Sequence, residues 1–273
     1  MKPQIIPDMS NWAYHAHAAL GSTSLKTLAT RTPAHWRWER DHPVHKDAYD
    51  IGTAAHSLIL EDDESGVAVI DVAEKRGKAW TEPAEAAKAA GKIPLKSSEW
   101  AMVKAMRDSV YAHPLARAAF ESYVPEQSVF WEEEDLALKC RPDAWAKGKL
   151  WDLKTTVNAD PREFGKTANS YGYHQSNAHY VDGVKAATGE ELPFGFILVE
   201  KTEPYLVSVV ELDWEAVNIG RALNDRAKRI FWECTAADHW PGYPPSEPIS
   251  LPNWAVYETE DLLGIDNDLE LKL

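Results

Sequence analysis

The chain is predicted to be an α/β protein with a central mixed sheet flanked by helices, and three observations predict it. Helical and strand-like segments follow one another in the order helix, strands, helix, strands, helix, which layers helices on a sheet. Phe194 to Glu200 and Tyr205 to Leu212 alternate as a strand pair, and Trp214 to Cys234 carries the apolar stripe of a long amphipathic helix. Upstream, residues 140–156 read as two short strands joined at Lys147-Gly148, a reversal that glycine permits because it tolerates positive φ.

The remaining elements follow in order. Residues 1–20 read as irregular. Ser22-Thr23-Ser24 offers N-caps for a helix through Leu25, Leu28 and Ala29, and Thr32-Pro33-Ala34-His35-Trp36 opens another with proline in its first turn. From Asp50 a run of small and apolar residues forms a helix that ends at the acidic stretch Glu61-Asp62-Asp63-Glu64. Val67 to Val72 reads as a strand, Lys75 to Trp80 as a basic loop, and Glu82 to Lys92 as an alanine-rich helix. Ser97 to Ser122 holds helix broken at His113-Pro114, and Gln127 to Trp131 is a strand that leads into the hairpin. Pro161 to Gly183 suggests helix, and an irregular tail begins at Trp240-Pro241-Gly242. No linker forces a boundary. One domain over residues 1–273 is expected, with its core at about 50–212 and an irregular acidic tail at about 240–273.

Composition narrows the function. The formal charge of −14 argues against a generic nucleic-acid coat, which is normally basic. It leaves room for an enzyme whose acids chelate metal while local basic patches meet phosphates. The runs Glu132 to Asp135 and Glu258 to Glu270 read as a solvated face and a tail. Two cysteines, Cys140 and Cys234, are too few for a disulfide framework or a four-cysteine metal site, so a reducing cytoplasm is the simplest compartment. No apolar run approaches membrane-spanning length, the start lacks a signal-peptide stretch, and no phosphate-loop motif supports an ATP-driven motor.

The hairpin carries the chemistry. With Lys147-Gly148 as the loop, Ala146 pairs with Lys149, Asp143 falls opposite Asp152, and Lys154 points to the same face as Asp152. Two facing carboxylates repel each other, and a divalent cation between them removes that cost. Mg²⁺ or Mn²⁺, hard ions that prefer carboxylates, fit Asp143 and Asp152. Lys154 would orient or deprotonate an attacking water and stabilise charge on a phosphate. A surface hairpin with an ordinary Asp152–Lys154 salt bridge is the alternative.

Pro142-Asp143 with Asp152-Leu153-Lys154 resembles the motif of the PD-(D/E)XK nuclease superfamily, and five further segments narrow the likeness. Gly52 to Glu61 resembles the N-terminal helix of RecE-like exonucleases, the exonuclease VIII group, in which a histidine reaches the metal. Thr32 to Trp36, Lys75 to Trp80, Glu126 to Trp131 and Tyr171 to Gly183 resemble further segments of that group in the right order. The resemblance implies a restriction-endonuclease-like core, with His56, Asp143, Asp152 and the Leu153 carbonyl as metal ligands. Glu126 either reaches the metal through water or caps a strand. Lys75, Arg76 and Lys78 either contact DNA phosphates or form a solvated turn; Tyr180, with Gln175 or Ser176, either hydrogen-bonds DNA or steadies the metal ligands, the alternative for Tyr180 being a core tyrosine. The group places glutamine four residues before that tyrosine. Ser176 stands there in this chain, and Gln175 lies one residue earlier.

The same resemblance implies digestion of double-stranded DNA from its ends, 5′ to 3′, by a homo-oligomeric ring that leaves 3′ single strands for a RecT-like annealing partner. It further implies a phage or prophage source. Such a ring would reconcile the −14 charge with DNA binding, the acids facing outward. A structure-specific endonuclease on the same core, or a DNA- or protein-binding module without turnover, stays open.

Overall fold

Alternating side chains let one sheet serve two cores. In the computed structural model, which describes residues 2–42 and 47–264, five strands run in the order β10 (Val207–Val210), β9 (Phe194–Glu200), β8 (Lys149–Thr156), β7 (Ala144–Ala146) and β4 (Tyr123–Pro125). Strands β8 and β9 are parallel and the other pairs antiparallel, so the sheet is mixed. Leu150, Phe194, Phe196 and Leu198 enter one hydrophobic cluster, while Ala144, Leu153, Ile197 and Val199 enter the other. That is the period of two expected for a sheet covered on both faces.

The first cluster packs the sheet against α2 (Ser22–Thr30), α8 (Phe164–Tyr171), α9 (Tyr173–Thr188) and α10 (Trp214–Ala237). Thr32 caps α3 (Pro33–Asp41) through a reciprocal contact with His35, and buried Trp36 on that helix stacks on Trp240. The second cluster packs α4 (Asp47–Glu61), α6 (Ser97–Ala112) and α7 (Pro114–Ala119) onto the other face. Proline at the first turn of α7 breaks the helical run at the predicted place.

Several elements differ from the sequence reading. The N-terminal residues contain β1 (Gln4–Ile6) and α1 (Asn11–Ala16). Strand β1 pairs with β5 (Ser128–Glu133), which pairs in turn with β6 (Leu136–Cys140) to make a separate three-stranded sheet. Thus Cys140 ends β6 instead of opening the hairpin, because Arg141-Pro142-Asp143 interrupts the strand. The acidic run before β6 is a solvated hairpin turn, with Glu134 and Asp135 at φ 45 and 65°. A small parallel pair, β2 (Val67–Ile70) and β3 (Ile93–Lys96), flanks α5 (Lys78–Ala89). The predicted basic loop is therefore cut short by a helix that begins at Lys78.

The predicted helix over 161–183 is divided at Gly172, whose φ of 63° ends α8 and starts α9. The tail is not irregular throughout, since Asn253–Leu263 forms α11, with no buried residue. Residues 265–273 of the predicted acidic tail, and His45, lie outside the described residues.

Candidate metal centre

The hairpin register follows the predicted pairing, Ala146 with Lys149 and Ala144 with Trp151, and then stops. Pro142 turns the chain away, so Asp143 leaves the ladder and its Oδ2 accepts the Leu153 amide at 2.7 Å. From Asp152 onward β8 keeps β9 on one edge but has no strand partner on the other. Helix α4 lies beside this part of β8 and supplies His56, whose Nδ1 is 3.6 Å from Asp143 Oδ2. One turn earlier on α4, Gly52 faces Thr155, where an added methyl would make an ordinary contact at 3.8 Å from Oγ1.

Glu126 comes from the turn between β4 and β5, where a left-handed backbone at φ 51° and an amide donated to the Asp143 carbonyl at 3.2 Å fix its position. One ligand atom each from His56, Glu126 and Asp143 lies within 4.8 Å of the others. Asp152, 2% exposed, ion-pairs through its Oδ2 with the Lys154 ammonium. Arg141 stands 3.6 Å from Glu126.

Charge balance explains the electrostatics. Burial, then the neighbouring Asp152, pushes the Asp143 carboxyl up to about 6, against the pull of His56, Lys154 and the Leu153 amide. Burial and Asp143 push Glu126 up to about 8, although Arg141 opposes this. Burial favours a neutral Lys154, but Asp152 and Asp143 outweigh it and hold the ammonium above its ordinary value. Held this way, Lys154 is a fixed cation placed to orient a water or a phosphate oxygen. A surplus of buried acid beside one imidazole fits a hard divalent cation. Among the described residues His56, Glu126 and Asp143 form the cluster that could hold it.

A cavity of about 1000 Å³ opens over these groups, lined among others by His56, Glu126, Asp143, Lys154 and Tyr180. Burial and the charge of Asp152 raise the Tyr180 phenol well above its usual range. Other predicted site residues lie elsewhere. Leu153 contributes its amide here while its side chain sits in the second core. Ser176 Oγ meets Ser22 Oγ at 2.9 Å and ties α9 to α2, and Gln175 is buried with its Oε1 unpartnered, so neither lines the cavity. Lys75 pairs with Glu99 at 3.0 Å, Arg76 pairs with Glu74 at 2.6 Å, and Lys78 begins α5; none of the three lines the cavity.

Sequence reasoning missed Arg141, although it adjoins Pro142-Asp143, and it missed Lys26 and Tyr173. The Lys26 and Lys154 ammonium groups lie 5.5 and 5.4 Å from the centre of the Tyr173 ring. Burial, then the nearby Lys154, lowers Lys26 to about 8. Nothing in the spacing of α2 marks that lysine, since its place depends on how α2 packs against α9.

A family model described as a PDDEXK-like domain of unknown function, DUF3799, matches residues 21–250. The chain belongs to the DUF3799 family. Its PD-(D/E)XK-like fold is also that of a provisionally assigned exonuclease from Eubacterium rectale, with a TM-score of 0.64 at 13% identity over 95% of this chain and 99% of that one. A phage-related exonuclease from Haemophilus somnus is 10% identical over 81% of this chain and 97% of that one, with a TM-score of 0.36. No curated protein matches the DUF3799 chain in sequence. No helix among the described residues is long and apolar enough to cross a membrane.

Proposed function

We propose that this DUF3799 protein is a divalent-metal-dependent deoxyribonuclease that degrades double-stranded DNA from its ends. One observation carries the reading: His56, Glu126 and Asp143 converge within 4.8 Å beside the buried Asp152–Lys154 pair. Mg²⁺ or Mn²⁺ held by His56, Asp143, Asp152 and the Leu153 carbonyl would supply Lewis-acid stabilisation of charge on the phosphate. Glu126 stands close enough to join through its own oxygen or through water. Lys154 donates hydrogen bonds from a cation fixed by Asp152, orienting the attacking water and the phosphate oxygen. Tyr180 steadies the carboxylates from α9.

The exonuclease name of the Eubacterium rectale relative, and the five-segment resemblance to RecE-like enzymes, support end-dependent hydrolysis over structure-specific cutting. The same resemblance extends the reading to 5′-to-3′ polarity, a ring of subunits, and 3′ tails passed to an annealing protein in a phage recombination module. Because Lys75, Arg76 and Lys78 line no part of the cavity, Lys154 and Lys201, which do, are the better phosphate contacts.

Digestion of linear and covalently closed duplex with Mg²⁺ or EDTA tests the reading. Mg²⁺-dependent loss of the linear form alone is expected, and 5′ or 3′ labels then give polarity. Cutting of the circle points to an endonuclease, and no digestion of either points to a binding module.

A further inference from the structure

The charges that line the cavity are sorted by the elements that carry them. Its carboxylates, Asp8, Glu61, Glu126 and Asp143, come from the N-terminal segment, α4 and the turns beside β4 and β7. The ends of β8 and β9, with α8, instead offer Lys154, Thr155, Thr156, Asn158, Lys201 and Thr167, and no carboxylate from these elements lines the cavity. The Lys201 amide donates to the Thr156 carbonyl at 2.9 Å, which ties the two strand ends together. A phosphate chain therefore meets cations and hydroxyls along the β8–α8 wall and repulsion along the other.

A column of rings ends on that favourable wall. Helix α8 presents Thr167 and Tyr171, four residues apart, to the cavity. Gly172, at φ 63°, then breaks the helix and leaves the Tyr171 and Tyr173 rings stacked, with centroids 5.6 Å apart and planes 18° apart. Inward, Tyr173 stacks on the fully buried Phe196 at 5.7 Å and 30°. Outward, the column ends at Tyr171, whose surface is 65% exposed and which meets no other ring among the described residues. Lys154 Nζ lies 5.4 Å from the centre of the Tyr173 ring, so the open ring stands one tyrosine away from the lysine assigned to the phosphate. Trp214 and Trp254 are at least as exposed, but neither lines the cavity. Position, not exposure, singles out Tyr171. A phenol left largely in water adds little to the core, yet one held parallel to a fixed ring offers a ready-made flat face.

We propose that Tyr171 stacks on an unpaired nucleobase of the strand being cut, while the neighbouring phosphates meet Lys154 and Lys201. A base inside a duplex has both faces covered by its neighbours, so only a base freed from the stack can use this ring. The inference rests on the deoxyribonuclease reading and deepens it: the cavity takes an unpaired strand instead of intact duplex. Stacking reads no base edge, so the contact accepts any sequence.

Fluorescence of 2-aminopurine, placed as the unpaired base of a short overhang, tests this with the full chain and with Ca²⁺ replacing Mg²⁺ to limit turnover. Stacking quenches this base, so the parent should quench it on binding and Tyr171→Ala should not. By anisotropy the parent should bind the overhang more tightly than a blunt duplex. Tyr171→Ala and Tyr171→Leu should each weaken overhang binding roughly tenfold and erase the preference, while Tyr171→Phe keeps it. Their melting temperatures should match the parent, because the side chain is largely exposed. In Mg²⁺, Tyr171→Ala should raise KM more than it lowers kcat. Parental quenching and affinity in Tyr171→Ala would overturn the stacking role and leave the nuclease reading standing. An equal loss on the blunt duplex would overturn the unpaired strand. Failure of the parent to bind either DNA would overturn both readings.

Discussion

Two clusters of buried charge lie within a few residues of each other on the chain, and the protein treats them in opposite ways. Under α1, Lys139 is buried with no carboxylate paired to it among the described residues, and backbone carbonyls at the end of that helix accept its hydrogen bonds. Burial, then Arg141, lowers Lys139 to about 8, and the ammonium remains the donor that closes the helix end. At β8 the surplus is acid, and the protein supplies too few donors, so Asp143 and Glu126 are pushed up. The lesson is that a buried charge met by the protein's own groups holds structure together, whereas one left short of partners marks a place for a ligand. Arg141 joins the two, with Met9 and Ser128 on one side and Glu126 on the other.

The comparison can be broken from either side. The largest effect is expected at the acid cluster, where Asp152→Ala should abolish digestion of linear duplex and Lys154→Ala should cut turnover roughly 10²- to 10³-fold. Asp143→Asn should also abolish turnover, yet it should raise the melting temperature of the metal-free protein because it relieves carboxylate repulsion. If Asp143→Asn instead lowers that temperature, the acids are structural and the contrast fails. At the cation cluster the signs reverse. Lys139→Met leaves buried carbonyls without a donor, costing about 1–3 kcal/mol for each, so it should lower the melting temperature by several degrees. Urea or thermal denaturation reads that loss.

A third test uses pH. His179, fully buried with Nε2 2.9 Å from the Lys139 carbonyl, is pulled down to about 4, chiefly by burial. Between pH 6.5 and 4 the unfolded chain binds a proton that the folded one refuses, so stability falls as pH drops through that window. The contribution is on the order of 3 kcal/mol, and His179→Gln should flatten this acid limb in denaturation curves. The smallest effect sharpens the contrast: Mg²⁺ at a hundred times its Kd should stabilise the parent by about 2.7 kcal/mol and should not stabilise Asp152→Ala in the same way.

Much of the fold and the core of the site were legible in the sequence, for local reasons. The β7–β8 pairing follows from Gly148 in the turn, and Asp152 and Lys154 share a face by strand alternation, whereas Asp143 leaves the ladder after Pro142 and meets the Leu153 amide instead. Helices α3, α6, α7 and α10 carry local signals in their caps, prolines and apolar stripes. The misses come from long-range packing or weak turn chemistry. Strand β6 was hidden because its hairpin turns on Glu134-Asp135, which lacks the usual asparagine or glycine. The break at Gly172 is a left-handed residue inside an otherwise helical pattern. Helix α1 is short, and Lys139 and Arg141, more than a hundred residues away, hold its end. Lys75, Arg76 and Lys78 looked like a phosphate site by composition, but the fold pairs the first two with acids and sets all three away from the cavity.

The central claim is that the acids beside β8 hold a divalent cation. Anomalous diffraction from a Mn²⁺-soaked crystal tests it most directly. The account predicts a peak bounded by His56, Asp143, Asp152 and Glu126, absent in Asp152→Ala. No peak there at saturating Mn²⁺ would contradict it.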